Sequence, residues 1–354
     1  MSNINVMKPI IWALLLLIAM ALPDYYIYTS YIDQLHNIAV SILWWLPTLI
    51  AVSAFAAAQA GIYHNAMFRT FFGISMACAT PKLVFSLVDL VLGPTIAIIV
   101  AVSLIAAIAY GVMYGWRRIV VRTASCRSSR LPSAFHGYRI LQLSDIHIGT
   151  FLQNPKFITK LVEAVNRQQP DLVVFTGDLI NTDAHELLPF RKVLSQIRAK
   201  DGVLSVMGNH DYCEYSQDAA QPIHGRRELH AHRSRRLLEY LQEKMGWRML
   251  MNENVMLQRG SDSIAIIGVE NIGKPPFKSF GNLDKAMAGL PADCFKVLLS
   301  HDPTHWRRGV LNKTDISLTL SGHTHAGQVK IGRFSPAKWA YNEWGGKYTE
   351  GSSM

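Results

Sequence analysis

Residues 1–116 hold only three acids, Asp24, Asp33 and Asp89, and three bases, Lys8, Arg69 and Lys82. A stretch so poor in charge and so rich in Leu, Ile, Ala and Val cannot surround itself with water, and this constrains the fold before any other feature. Four apolar runs, about 8–28, 39–60, 67–91 and 95–116, each approach the roughly 20 residues that a helix needs to cross a bilayer. The first, "PIIWALLLLIAMALP", is followed by no small-x-small cleavage site and by three more spans, so it reads as a span rather than a signal peptide. The third contains Pro81, Lys82 and Asp89. Neighbouring helices must satisfy the carbonyl that Pro81 frees, and the two charges are expected to face the bundle interior as packing elements rather than form a transport path.

The remainder of the chain has a different character. All of the formal net charge of +10 falls in residues 117–354. Arg117, Arg118, Arg122, Arg127 and Arg130 follow the last span with no acid before Asp145. That asymmetry predicts a cytoplasmic location for the segment, and four spans would then place the N-terminus on the same side. Contact with anionic headgroups explains the arginines more simply than nucleic-acid binding does. The chain divides into a transmembrane helical segment (1–118), a Ser- and Arg-rich linker (119–136) and a second domain (137–354). Cys78, Cys126, Cys213 and Cys294 lack CxxC spacing, so neither a disulfide framework nor a thiolate zinc site is expected.

From Tyr138 onward strand-like runs alternate with helix-like ones, the pattern of a layered α/β domain. "YRILQLSD" and "DLVVFTGD" read as strands. "NPKFITKLVEAVNRQQ" reads as a helix capped by Asn154 with Pro155 at its first position. "AHELLPFRKVLSQIRA" and a charged stretch over about 217–245 also read as helical. The apolar runs end repeatedly in polar clusters: Asp145 and His147, then Asp178, then Asn209, His210 and Asp211, then His301, and last His323 and His325. One such ending would be a turn or a cap. Five point to a site gathered at the carboxyl ends of strands.

These endings supply carboxylate, amide and imidazole donors and no thiolate. Such a set suits Mn, Fe, Zn or Mg, and it exceeds the four ligands of one tetrahedral zinc. Two cations sharing a carboxylate fit better, the arrangement that serves in-line displacement at phosphorus. In order, "DIH", "GD", "GNHD", "SH" and "GHTH" resemble the calcineurin-like metallophosphoesterases over about 138–333, and the membrane-anchored bacterial branch is most similar. The resemblance implies a four-layer α-β-β-α sandwich of two mixed sheets behind about four transmembrane helices. It implies two divalent metal ions, manganese first, with Fe, Zn or Mg as alternatives. Asp145, His147 and His325 would bind one, Asn209, His301 and His323 the other, and Asp178 would bridge them. A water deprotonated between the cations would attack phosphorus, with His210 donating to the phosphoryl oxygen or the leaving group and Asp211 holding its loop.

The pattern departs from the family in two places. Asn181 stands where many relatives have an acid that orients the catalytic histidine, so an amide is expected to take the imidazole hydrogen bond. "GDLINTD" lacks the arginine of Ser/Thr protein phosphatases, which argues against a phosphoprotein substrate. Relatives also continue past the last motif with another strand, whereas this chain stops at "KYTEGSSM", which leaves the completeness of the sheet open but not the ligand set. His305 and Trp306 are expected chiefly to pack beside the site. The Arg- and His-rich stretch 222–236 is either a solvated face or a basic cap meeting anionic groups. The reading that results is a membrane-anchored, dinuclear-metal phosphohydrolase acting on a phosphorylated small molecule or lipid, with the bilayer as partner, no specific nucleic acid, and no indication of oligomeric state. A membrane sensor or transporter with a catalytically silent soluble domain is the first alternative, and a nuclease the second.

Overall fold

A computed structural model of the chain describes residues 18–59, 71, 73–213, 226–274, 278–325, 330 and 335–349. The chain forms two compact units, Met1–Arg118 and Ile119–Met354.

In the first unit, three helices are long and apolar enough to cross a membrane: Ile38–Ala57, Ser75–Leu92 and Pro94–Met113. Of the run expected at 8–28, residues 18–27 are helical and the earlier part lies outside the described residues. The described residues therefore carry three candidate spans where the sequence predicts four. Part of the third expected run, 60–70, also lies outside them. Three charged side chains of this unit, Asp24, Lys82 and Asp89, have polar partners, as a low-dielectric interior requires. Asp24 is fully buried, and its Oδ1 lies 2.6 Å from Lys82 Nζ. Thr48 donates to the same carboxylate. Asp89 accepts from the hydroxyls of Tyr26 and Tyr31 at 2.9 and 2.6 Å. Lys82 and Asp89 are thus tied to neighbouring helices.

The second unit holds two four-stranded sheets. The first runs β1 (Ile140–Leu143), β2 (Leu172–Thr176), β3 (Val203–Val206) and β4 (Trp247–Met249), all parallel. The second runs β5 (Glu253–Arg259), β6 (Asp262–Gly268), β7 (Phe295–Leu299) and β8 (Leu318–Leu320), with only the β5–β6 pair antiparallel. The expectation of two mixed sheets is corrected: among the described residues, only the second is mixed. The reason lies in the connections. Between strands of the first sheet the chain always crosses back through helical turns, which parallel pairing requires, whereas a short turn at Gly260 lets β5 and β6 fold as a hairpin.

The strand period of two sorts the apolar side chains into layers. Val173, Phe175 and Val203 face outward, packing with Ile158, Val162 and Leu238 of the helices Lys156–Arg167 and Arg226–Lys244. Leu172, Val174, Leu204 and Val206 face the second sheet, meeting Ile264, Ile266, Val297 and Leu299. Ile267 and Leu298 face the other way, toward Ala286 and Val310. Leu131 and Phe135, from the stretch read as linker, pack into the layer between the sheets.

One local assignment shifts. "AHELLPFRKVL" forms a 3-10 turn, Ala184–Phe190, followed by one short α-turn, Arg191–Leu194. Pro189 lies inside the run and cannot donate to an α-helical ladder. Of the charged stretch expected to be helical, Arg226–Lys244 is an α-helix, and the part of its expected range before that lies outside the described residues.

Candidate metal centre

Each candidate residue stands within a few positions of the carboxyl end of a strand. Asp145 and His147 follow β1, Asp178 follows β2, Asn209 and His210 follow β3, His301 follows β7, and His323 and His325 follow β8. The loops are stitched together beyond the strands. Asp145 and His147 donate their backbone N–H groups to Gly177 O and Asp178 O at 2.9 and 3.1 Å. Within the second sheet, Gly322 N donates to His301 O at 2.9 Å, and across to the first sheet His323 N donates to the Asp145 carboxylate at 3.0 Å. Glycine is required at 177, where φ is +93° and a Cβ would stand 2.5 Å from Gly208 N and 2.7 Å from His301 Nδ1.

The donor atoms fall into two groups. Asp145, His147, Asp178 and His325 each place one ligand atom within 4.8 Å of the others, and Asp178, His301 and His323 do the same. Asp178 belongs to both. Its Oδ2 lies 3.7 Å from His147 Nε2 and 3.2 Å from His301 Nε2, while its Oδ1 accepts from His210 N. Asn209 Oδ1 lies 3.2 Å from His301 Nε2. All seven residues expected as ligands are therefore brought together, and the shared residue is the one expected to bridge.

The local chemistry suits cations. His147 Nε2 and His325 Nε2 converge to 3.0 Å, where two lone pairs need a proton or a metal between them. Burial pushes the His147 imidazole down to about 4. His301 is fully buried, which alone would lower it, yet the Asp178 carboxylate beside it raises it to about 10. The Asp178 carboxyl, although buried, is held well below the usual carboxylate range by His301, His210 and His147. The backbone is strained where the donors sit. Asp145, His147, Asp178, His323 and His325 all have positive φ, between +47° and +71°. Non-glycine residues avoid this region, and its concentration at one place marks a site that the surrounding fold over-determines.

His210 stands beside the first group, its ring edge-on to His147 with centroids 4.6 Å apart. Its Nδ1 lies 2.7 Å from the main-chain carbonyl of Asn181. The expectation that the Asn181 side-chain amide would take this bond is corrected. That side chain turns away, accepting from Thr150 N and donating to Thr150 Oγ1. Asp211 accepts from the N–H groups of Asp178, Leu179, Ile180 and Gly208, so it splices the loops after β2 and β3, the role expected of it. His305 is buried, with Nδ1 2.9 Å from Ser300 Oγ, and packs behind the centre.

Sequence reasoning missed Glu186 and Tyr341. Glu186 accepts from the N–H groups of Asn181, Thr182 and Asp183 and so shapes the loop that carries the His210 acceptor. Its spacing from Asp183, that of a capping box, was the available signal. Tyr341 Oη lies 3.0 Å from His323 Nε2, and no spacing pattern announces that contact.

The profile of the calcineurin-like phosphoesterases matches residues 138–327, more than half of the chain. The chain belongs to that family. Among curated proteins, a transmembrane protein with metallophosphoesterase domain from Bos taurus is 30% identical over 249 residues, 68% of this chain and 51% of that protein. The uncharacterized metallophosphoesterase YkuE of Bacillus subtilis (strain 168) is 30% identical over 261 residues, 69% of this chain and 79% of that protein. The UDP-2,3-diacylglucosamine pyrophosphatase LpxG of Chlamydia muridarum is 27% identical over 240 residues, 57% of this chain and 68% of that protein. The chain spans about half the length of the first curated relatives it matches.

Proposed function

We propose that this chain is a membrane-anchored phosphohydrolase dependent on two divalent cations, manganese first among them, cleaving a phosphoester or pyrophosphate bond in an amphiphilic or nucleotide-linked lipid. The observation that carries the reading is the pair of donor groups sharing Asp178, with the His210 ring beside them. Asp145, His147 and His325 would hold one cation and Asn209, His301 and His323 the other, with Asp178 reaching both. When bound, such cations supply Lewis-acid polarisation of the phosphoryl group and a water acidified to near neutrality.

The protein's own groups supply the rest. With its Nδ1 held at the Asn181 carbonyl, His210 would exchange its proton with the leaving or phosphoryl oxygen through Nε2, as a general acid. Asp178 would orient both donor groups while its Oδ1 steadies the His210 backbone. Asp211 keeps the two loops in register through four main-chain donors. A lipid-linked substrate is supported by the apolar helices of the first unit, and by a relative named as a pyrophosphatase of a diacylated sugar nucleotide. The arginines that follow the last span support an orientation with residues 119–354 on the cytoplasmic side.

The test uses the full chain in detergent, with metal content measured beside hydrolysis of a chromogenic monoester and diester. Wild type is expected to load two cations and to hydrolyse at least one ester. Asp178→Asn is expected to lose metal and activity together. His210→Ala is expected to keep metal while kcat falls by about 10²–10⁴-fold. A wild type that binds no metal under any loading overturns the reading. One that binds two cations and cleaves no phosphoester favours the silent-domain alternative.

A further inference from the structure

Residues beyond the last motif return to the centre. Tyr341 Oη lies 3.0 Å from His323 Nε2, and the two rings meet edge to face with centroids 5.6 Å apart. The other nitrogen of the same imidazole, His323 Nδ1, faces the second donor group, 3.2 Å from His301 Nε2. A neutral imidazole carries one hydrogen. Nδ1 can offer a lone pair to a cation only if that hydrogen sits on Nε2, and there the Tyr341 hydroxyl stands at hydrogen-bond distance as an acceptor.

The segment that carries Tyr341 is anchored on both sides of it. Thr324 Oγ1 donates to Trp344 O at 2.7 Å. Arg307 is paired with the buried carboxylate of Glu343. Lys347 Nζ donates to Ser125 O at 2.9 Å, and Ser335 and Ala337 are buried. The hydroxyl is therefore presented by a braced piece of chain rather than by a loose tail.

We propose that Tyr341 is a positioning residue for the second cation: its hydroxyl holds the hydrogen of His323 on Nε2 and so aims Nδ1 at the metal. This rests on the two-cation reading above. The consequence is selective. Loss of the hydroxyl weakens the cation held by Asn209, His301 and His323 and spares the one held by Asp145, His147 and His325, which Tyr341 does not touch in the contacts described.

The test loads the full chain in detergent with manganese alone, counts cations per chain after graded chelator challenge, and records the electron paramagnetic resonance of the coupled pair. Tyr341→Phe is compared with Glu343→Gln, which loosens the anchor and keeps the hydroxyl. Tyr341→Phe is expected to hold the first cation as wild type does, to bind the second about 10–100-fold more weakly, and to lose the coupled signal while its metal-free melting temperature is unchanged. Glu343→Gln is expected to stay closer to wild type. The proposal is overturned if Tyr341→Phe keeps both cations undiminished, if it loses both, or if Glu343→Gln weakens the second cation as much as Tyr341→Phe does. A wild type that never takes more than one cation overturns the two-cation reading itself, a result distinct from any of these.

Discussion

Asn181 shows how a departure from a family pattern is absorbed at the scale of one residue. The imidazole of His210 needs an acceptor on Nδ1, and the main chain supplies it at the position whose side chain was expected to. Asn181→Ala is therefore expected to retain most of the hydrolysis rate. The cost should appear in stability instead, on the order of 1 kcal/mol for each bond lost to Thr150. Steady-state kinetics beside thermal unfolding checks this, and a loss of rate as large as that of His210→Ala would contradict it. His301 carries a second prediction. Held up to about 10 by the Asp178 charge, its imidazole is protonated at neutral pH in the metal-free protein and must release that proton to bind a cation. Metal affinity should accordingly rise with pH through the neutral range, with proton release on loading, which calorimetry in buffers of different ionisation enthalpy measures.

At the scale of elements, two buried aspartates, Asp171 and Asp24, join segments distant in sequence through ion pairs. Asp171, at the mouth of β2, accepts from Arg139 N, Lys200 Nζ and Arg259 Nη2 at 2.8, 2.7 and 3.0 Å, so it ties β1, the approach to β3 and the end of β5. Burial alone would raise its carboxyl, but Lys200, the Arg139 N–H and Arg259 hold it at about 2, against an ordinary 3.8. The folded-state value is depressed, so the stability it contributes is whole above about pH 4 and lost as pH falls toward 2. Asp171→Asn should flatten the acid limb of the unfolding profile in that window and should lower stability near neutrality. In the first unit, Lys82 neutralises the fully buried Asp24. Lys82→Met would leave that buried carboxylate without its counter-charge and is expected to destabilise by about 3–5 kcal/mol. Adding Asp24→Asn should recover much of the loss, which thermal unfolding in detergent reports.

For the whole molecule, the three apolar helices Ile38–Ala57, Ser75–Leu92 and Pro94–Met113 predict behaviour that the basic second unit alone would not. A protein held to a bilayer by arginines is released by salt, because exposed charges are screened. This chain is expected to stay with the membrane fraction through high salt and alkaline carbonate and to leave it only in detergent. Recovery in the salt wash would contradict the reading of these helices as spans.

The sequence by itself determined the candidate ligands and the existence of an apolar segment. Both are properties of residue type and order: a carboxylate or imidazole ending an apolar run has few structural uses, and twenty uncharged residues have few places to be. The tertiary structure alone decided what depends on contacts between distant segments. It made the first sheet wholly parallel, a matter of which strands become neighbours. It gave His210 a carbonyl rather than an amide, because every residue has a carbonyl and its sequence cannot mark which one turns inward. It also brought Tyr341 to His323 across 18 positions, where no helical or strand period links the two and only the anchored return of the chain places a hydroxyl at Nε2.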